Sequence, residues 1–200
     1  AEREHRLTRQ ALQLLNEHNL PWQVCTKNGL QAMQDDVPLF VAGGGWLGQT
    51  IIFMDDADRQ LWEPGASPIE DRLQALTIAH DAGVRTWLSL EPVIDPDQAL
   101  QLIEHAAPHV DAWKIGKLNH LHLLEPELRA RVEQIDWQAF VDRLIPALNS
   151  KPGVEYLIKD SLLPYWPPDI PSSRLPGEQV RRSRATAAPP QRQQPALTLF

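Results

Sequence analysis

The feature that most constrains this chain is an alternation. Short apolar runs rich in β-branched and aromatic residues take turns with segments of helical periodicity, roughly a dozen residues each. Pro21–Lys27 (PWQVCTK) ends at the turn Asn28–Gly29, and Leu47–Met54 (LGQTIIFM), Val84–Leu90, Ala112–Ile115 and Val154–Lys159 read as further strands. Helices are expected over Ala1–Asn19, Leu30–Val37, Asp97–Ala107 and Trp137–Leu148, the first with Leu7, Ala11, Leu14 and Leu15 on one face. A further helix opens at Ser67, where Ser67 and Glu70 have the spacing of a capping box around Pro68, and stops at Gly83. Asp55–Pro64 and the Gly43–Gly45 run read as loops, the latter without the Lys-Ser/Thr of a phosphate loop. The pattern predicts an α/β fold of βαβ units on a parallel sheet, with crossovers that curl it one way. A barrel and an open flavodoxin-type sheet both satisfy it, and periodicity alone does not choose.

Composition sets the outer limits. The chain has 200 residues, a net charge of −7 and 42% hydrophobic residues, as in a globular protein without whole-surface capture of nucleic acid. A single cysteine, Cys25, excludes an internal disulfide framework or a multi-cysteine metal site, and reads as a small core residue. A reducing, cytoplasmic setting is expected. No apolar run approaches the ~18 residues of a membrane span, so no membrane partner is expected. Residues 1–163 form the folded unit in this reading. Residues 164–200, rich in Pro, Arg and Gln, are expected to be a disordered tail, with Arg181, Arg182 and Arg184 a solvated cluster.

Polar residues inside strands of a covered sheet need a reason. The period of two puts Gln23, Cys25 and Lys27 on one face of the first strand, Ser89 and Glu91 on one face of a later one, and Lys114 with Gly116 on another. Glu155, Leu157 and Lys159 share a face of the last. These charges gather toward C-terminal strand ends, where parallel α/β proteins bind ligands. Lys27, Glu91, Lys114 and Lys159 therefore form either a ligand site or a structural ion-pair network. His120 and His122 lack further ligands, so no metal is assigned. Trp22, Trp62, Trp87, Trp113 and Trp137 read as packing anchors.

Several longer motifs carry a resemblance. Trp62–Leu76 (WEPGASPIEDRLQAL) and His80–Asp95 (HDAGVRTWLSLEPVID), with Ala1–Leu15, Cys25–Leu30 (CTKNGL), Trp113–His120 (WKIGKLNH) and Tyr156–Leu162 (YLIKDSL), resemble the radical S-adenosylmethionine proteins of the spore photoproduct lyase-like group, the DNA repair photolyases. The resemblance covers about Ala1–Leu163 and implies a partial (β/α) TIM-type barrel with S-adenosylmethionine and a [4Fe-4S] cluster as cofactors. In that family three cysteines in a C-x3-C-x2-C loop hold the cluster, and electron transfer cleaves the cofactor to a 5′-deoxyadenosyl radical. It also implies an electron donor such as flavodoxin or ferredoxin, and nucleic acid as a substrate by resemblance only. With one cysteine and a helix at its start, the chain is expected to be the later units of a larger enzyme. Its N-terminal strands and cluster ligands would lie upstream, and the chain alone would be inactive. By resemblance Lys27 meets the cofactor carboxylate, Thr50 offers a hydroxyl with Ser89 nearby, and Glu91 accepts from the ribose. Ile52 stands where relatives often carry Ser or Thr. Lys114, Lys117, Asn119 and Lys159 match branch motifs and belong either to substrate binding or to the network. A Schiff-base lyase of the aldolase type, with Lys114 or Lys159 as the amine and Glu91 as acid/base, is a second reading. A non-catalytic scaffold whose Pro/Arg tail recruits a partner is a third.

Overall fold

The structure is a computed structural model that describes residues 2–151 and 153–175. Helices α1 (Glu2–His5) and α2 (Leu7–Glu17) lead to strand β1 (Gln23–Thr26). Then come α3 (Val37–Gly43), β2 (Trp46–Thr50), α4 (Asp56–Trp62), α5 (Ile69–Asp81) and β3 (Arg85–Val93). The chain continues through α6 (Pro96–Ala106), β4 (Ala112–Lys117), α7 (Pro126–Glu133), α8 (Trp137–Asn149) and β5 (Glu155–Ile158). Among the described residues the five strands form one sheet in the order β1-β2-β3-β4-β5, every neighbouring pair parallel. The fold is therefore mixed α/β with a parallel sheet, and its strand order does not reverse as a flavodoxin-type sheet does.

Aspartates start three of the helices. The Asp55, Asp95 and Asp136 carboxylates accept from backbone N–H groups of the first turns of α4, α6 and α8. Gly83, at φ +83°, ends α5 in the left-handed region where a side chain would be strained. α4 occupies part of the stretch expected to be a loop, and the Asp55 cap explains it. The expected capping box at Ser67 is not formed. Pro68 is the N-cap, so α5 starts one residue later, and Ser67 Oγ instead faces Asn28 Oδ1 at 3.5 Å.

The first helix departs from its expected face. Arg6 adopts a left-handed conformation (φ 48°) that separates α1 from α2 and turns the following residues. Leu12 is buried while Leu7 and Leu14 stay 56% and 55% exposed. Leu15 alone of the expected four packs against the small core of Leu12, Met33, Phe40, Leu47, Ala75, Ala79 and Val84. The larger core runs from Ile51 and Phe53 through Leu88, Leu90, Trp113 and Ile115 to Phe140, Leu144 and Ile158.

Residues 164–175 are built into the fold rather than belonging to a loose tail. Trp166 is buried and its Nε1 donates to Ile170 O at 3.0 Å. Ile158 N donates to Ser172 O, and Arg174 N to Tyr156 O, both at 2.8 Å, so this segment pairs antiparallel with β5. Aromatic anchors diluted among prolines supply the apolar area that the composition hides. The expected tail from 176 onward, with Arg181, Arg182 and Arg184, lies outside the described residues. Among the described residues no helix is long and apolar enough to cross a membrane.

Candidate functional site

Parallel partners in register point their side chains to the same face of a sheet. The pairings Cys25↔Gly48↔Trp87↔Ala112↔Glu155 and Thr50↔Ser89↔Lys114↔Leu157 therefore define one face, on which polar groups collect. The opposite face carries Leu47, Leu88, Trp113, Ile115, Tyr156 and Ile158, all buried in the two cores. Most polar side chains thus fall on one side of the sheet, although Trp87, Ala112 and Leu157 share that side and Gln49 and Thr86 lie buried on the other.

Near the C-terminal strand ends of the polar face, Thr50 and Ser89 sit side by side, both buried. Cys25 Sγ lies 3.4 Å from Thr50 Oγ1. Cys25 is exposed, contrary to the core role expected of it, because β1 is the outermost strand and ends this face. Lys159 Nζ meets Glu91 Oε1 at 3.4 Å. The pair passes over Gly116, where a Cβ would approach Lys159 Cβ to 2.9 Å and Glu91 Cγ to 3.2 Å. Only glycine leaves room for this pair as it stands. The register slips between Leu90 and Val93, yet Glu91 keeps its place beside Lys159.

Lys27 follows β1 at the same end, and a partner that sequence reasoning missed holds it. Its Nζ lies 2.9 Å from Glu63 Oε1, an ion pair by distance whose angle falls short of a hydrogen bond. Glu63 is buried, and its other oxygen accepts from Arg72 Nη1 at 2.9 Å. Arg72 is fully buried and the same nitrogen donates to Thr50 O at 2.6 Å. A chain of charges thus runs from the surface at Lys27 to the backbone of Thr50. The only sign in the sequence is an arginine inside an otherwise apolar helix face.

The other lysines separate. Lys114 Nζ lies 3.5 Å above the Trp87 ring and donates to Gln23 Oε1 at 3.3 Å, toward the N-terminal end of the strands. Trp87 in turn covers Gly48, whose missing side chain the indole occupies. A cleft of about 490 Å³ opens beside them, lined also by Trp22, Trp46 and Arg85. The aromatic face stabilises Lys114 as a cation, which opposes the neutral amine a Schiff base requires. Lys117 points to the core side, its Nζ 3.3 Å from Tyr165 Oη and 4.8 Å from the Trp137 ring centre. Its odd place in the strand period puts it opposite Lys114 and Gly116. Asn119 lies past the strand end and is exposed. The expected group thus divides: Thr50, Ser89, Glu91 and Lys159 share the polar rim, Lys27 flanks it, and Lys114, Lys117 and Asn119 stand apart. Ile52 is buried in the core cluster.

A second missed network braces the loops at this end. Gln98 Oε1 accepts from Met54 N at 2.8 Å and Asp55 N at 2.9 Å, while its Nε2 donates to Asp58 at 2.7 Å and Asp95 at 3.2 Å. Arg131 of α7 reaches both oxygens of Asp58, at 2.8 and 3.2 Å. This guanidinium lowers the Asp58 carboxyl below the ordinary carboxylate range, against the opposing effect of burial, with Gln98 adding to the same direction.

No protein-family model matches this chain, and neither a curated protein nor a solved structure is significantly similar to it. The class defined here is a mixed α/β protein with a parallel sheet and a polar rim.

The residues present can be weighed against the cofactors expected by resemblance. Two hydroxyls and a carboxylate, Thr50, Ser89 and Glu91, suit the hydroxyl-rich adenosine half of S-adenosylmethionine, and Lys27 its carboxylate. A [4Fe-4S] cluster does not fit this chain's own residues. It takes about three or four thiolates, and Cys25 is the single cysteine.

Proposed function

We propose that the chain contributes the later βα units of a partial barrel of the radical S-adenosylmethionine kind, and that its polar rim binds S-adenosylmethionine. One observation carries the reading: in a parallel sheet whose strands follow chain order, hydroxyl and charged groups of neighbouring strands meet on one face at the C-terminal ends. That is the end at which barrel enzymes bind their ligands. Glu91 accepts from the ribose hydroxyls, Ser89 and Thr50 offer hydroxyls beside it, and Lys27 meets the carboxylate of the methionine end. The part of this chain is to bind and orient the cofactor. Its reductive cleavage needs cluster ligands beyond Cys25, and an electron donor of the flavodoxin or ferredoxin kind. DNA as the substrate rests on the resemblance alone.

The test is equilibrium binding of S-adenosylmethionine to the chain and to two variants. A charge-assisted hydrogen bond is worth about 1.5–3 kcal/mol, so Lys27→Ala should weaken binding by about ten- to a hundredfold. Glu91→Gln should cost less, since an amide oxygen still accepts. Absent binding, or equal affinity in wild type and both variants, overturns the proposal. Borohydride trapping of a carbonyl compound on Lys159 or Lys114 would establish the aldolase-type alternative instead.

A further inference from the structure

At the opposite end of the sheet, the last two residues of α5 meet the connection between α6 and β4. His80 Nδ1 and His109 Nδ1 each lie 3.9 Å from the same oxygen, Asp81 Oδ1. The ligating atoms of all three residues lie within 4.8 Å of one another. The two imidazoles stand edge to face, 5.7 Å apart at 79°. His109 Nδ1 is buried and has no hydrogen-bond partner among the described residues. From these observations we propose that His80, Asp81 and His109 form a binding site for one divalent d-block cation of the Zn²⁺ type.

The spacing argues for a shared ion rather than for direct pairing. A carboxylate bonded to one imidazole would sit at about 2.7–2.9 Å from it, whereas Asp81 holds the same longer distance from both. Zinc takes imidazole nitrogen and carboxylate oxygen at about 2.0–2.2 Å, which puts tetrahedral ligands roughly 3.3–3.5 Å apart. Closing the present gaps takes about an ångström of side-chain rotation. The side chains are free to make it, at 37% exposure for each histidine and 67% for Asp81.

The backbone beneath them is fixed. His80 O accepts from Gly83 N at 2.9 Å, and Ala79 O from Val84 N at 3.0 Å, so the end of α5 is locked into the start of β3. His109 O accepts from Thr86 Oγ1 at 2.6 Å, and the Asp111 carboxylate accepts from Thr86 N at 2.8 Å. His109 is thus held by Thr86 in β3, and His80 by Gly83 in the turn just ahead of it. Two imidazoles and one carboxylate suit zinc better than the hard cations Mg²⁺ and Ca²⁺, which prefer oxygen ligands. Bound there, the ion would join α5 to the α6–β4 connection and stabilise the fold by mass action.

Titration calorimetry of the chain with ZnCl₂, alongside thermal unfolding with and without it, tests the site. One saturable Zn²⁺ equivalent and a rise in melting temperature are expected, with no response to MgCl₂. His80→Ala and His109→Ala should each weaken binding by at least about tenfold, the loss that even outer-shell changes produce at metal sites. Asp81→Asn, which keeps the side chain's shape, should do the same without disturbing the fold. Replacing the other close pair, His120 and His122 (5.9 Å between rings), by alanine should change nothing. No zinc binding, unchanged binding in the His80, Asp81 and His109 variants, or loss of binding in the His120/His122 variant overturns the proposal.

Discussion

Replacing Glu63 by glutamine removes one charge from a pair that the fold buries. The Glu63 side chain is 3% exposed and that of Arg72 0%, and their contact is 2.9 Å. Nη1 is the Arg72 nitrogen that bonds to protein, while Nε and Nη2 find no partner among the described residues. Glutamine would leave a guanidinium in the core without its counter-charge, a change that costs about 3–5 kcal/mol. Lys27 adds little to the sum, because its side chain is 47% exposed and water can take over from Glu63. A domain of this size holds only about 5–15 kcal/mol in total. At about 2–4 °C per kcal/mol, the melting temperature should fall by about 6–20 °C. Thermal and urea unfolding followed by circular dichroism measure this directly. Lys27→Ala, run alongside, should cost at most about 1 kcal/mol. The double variant Glu63→Leu/Arg72→Met should recover most of the loss, since apolar replacement of both members of a buried pair is often neutral. A Glu63→Gln protein that melts within about 3 °C of wild type would refute the reasoning.

Other expectations follow from the same geometry. The folded Asp58 carboxyl titrates below its unfolded value, so its contribution is present above pH ~4 and is lost as pH falls through the folded pKa. Asp58→Asn should therefore lower stability at neutral pH, by about 1 kcal/mol or less because the Arg131 side chain is 39% exposed and screened by water, and flatten the acid limb of the curve. Gly48→Ala drives a methyl group into the Trp87 indole and should destabilise by about 1–3 kcal/mol, read in urea melts. Exposed Cys25 should react readily with iodoacetamide, and the adduct, next to Thr50, should weaken S-adenosylmethionine binding by about tenfold or more. Unchanged affinity after complete alkylation would remove Thr50 from the binding rim.

The strand faces were legible because a strand's period is short and rigid. Gln23 with Cys25, Ser89 with Glu91, Lys114 with Gly116 and Glu155 with Leu157 fall on one side of the sheet because parallel neighbours keep that parity across it. What lay beyond reach depended on contacts distant in sequence or on local turns. The Arg6 turn moved the buried stripe of the first helix to Leu12, although Leu7 and Leu14 obey the helical spacing. Charge counts cannot reveal that Glu63 and Arg72 compensate each other inside the fold. Lys117 was grouped with Lys114 by motif, yet three residues along a strand lead to the other face. His109 comes beside His80 because Thr86 Oγ1, 23 residues earlier in the chain, holds His109 O. The short helices α4 and α7 bury little apolar surface of their own. Asp55 at the cap of α4 is the signal that could have revealed it.

The four hydrogen bonds of Gln98 have a consequence for motion. One amide joins the loop after β2, the start of α4 and the turn before α6. None of these segments can leave its position without breaking bonds that the others share. Amide protons of Met54 and Asp55 should then exchange with solvent through the same opening event as those of Asp97 and Gln98 at the start of α6, with similar free energies. The rim next to them would behave as one rigid body with a single hinge cost, so that a ligand meets a surface already ordered and loses little entropy in binding to it.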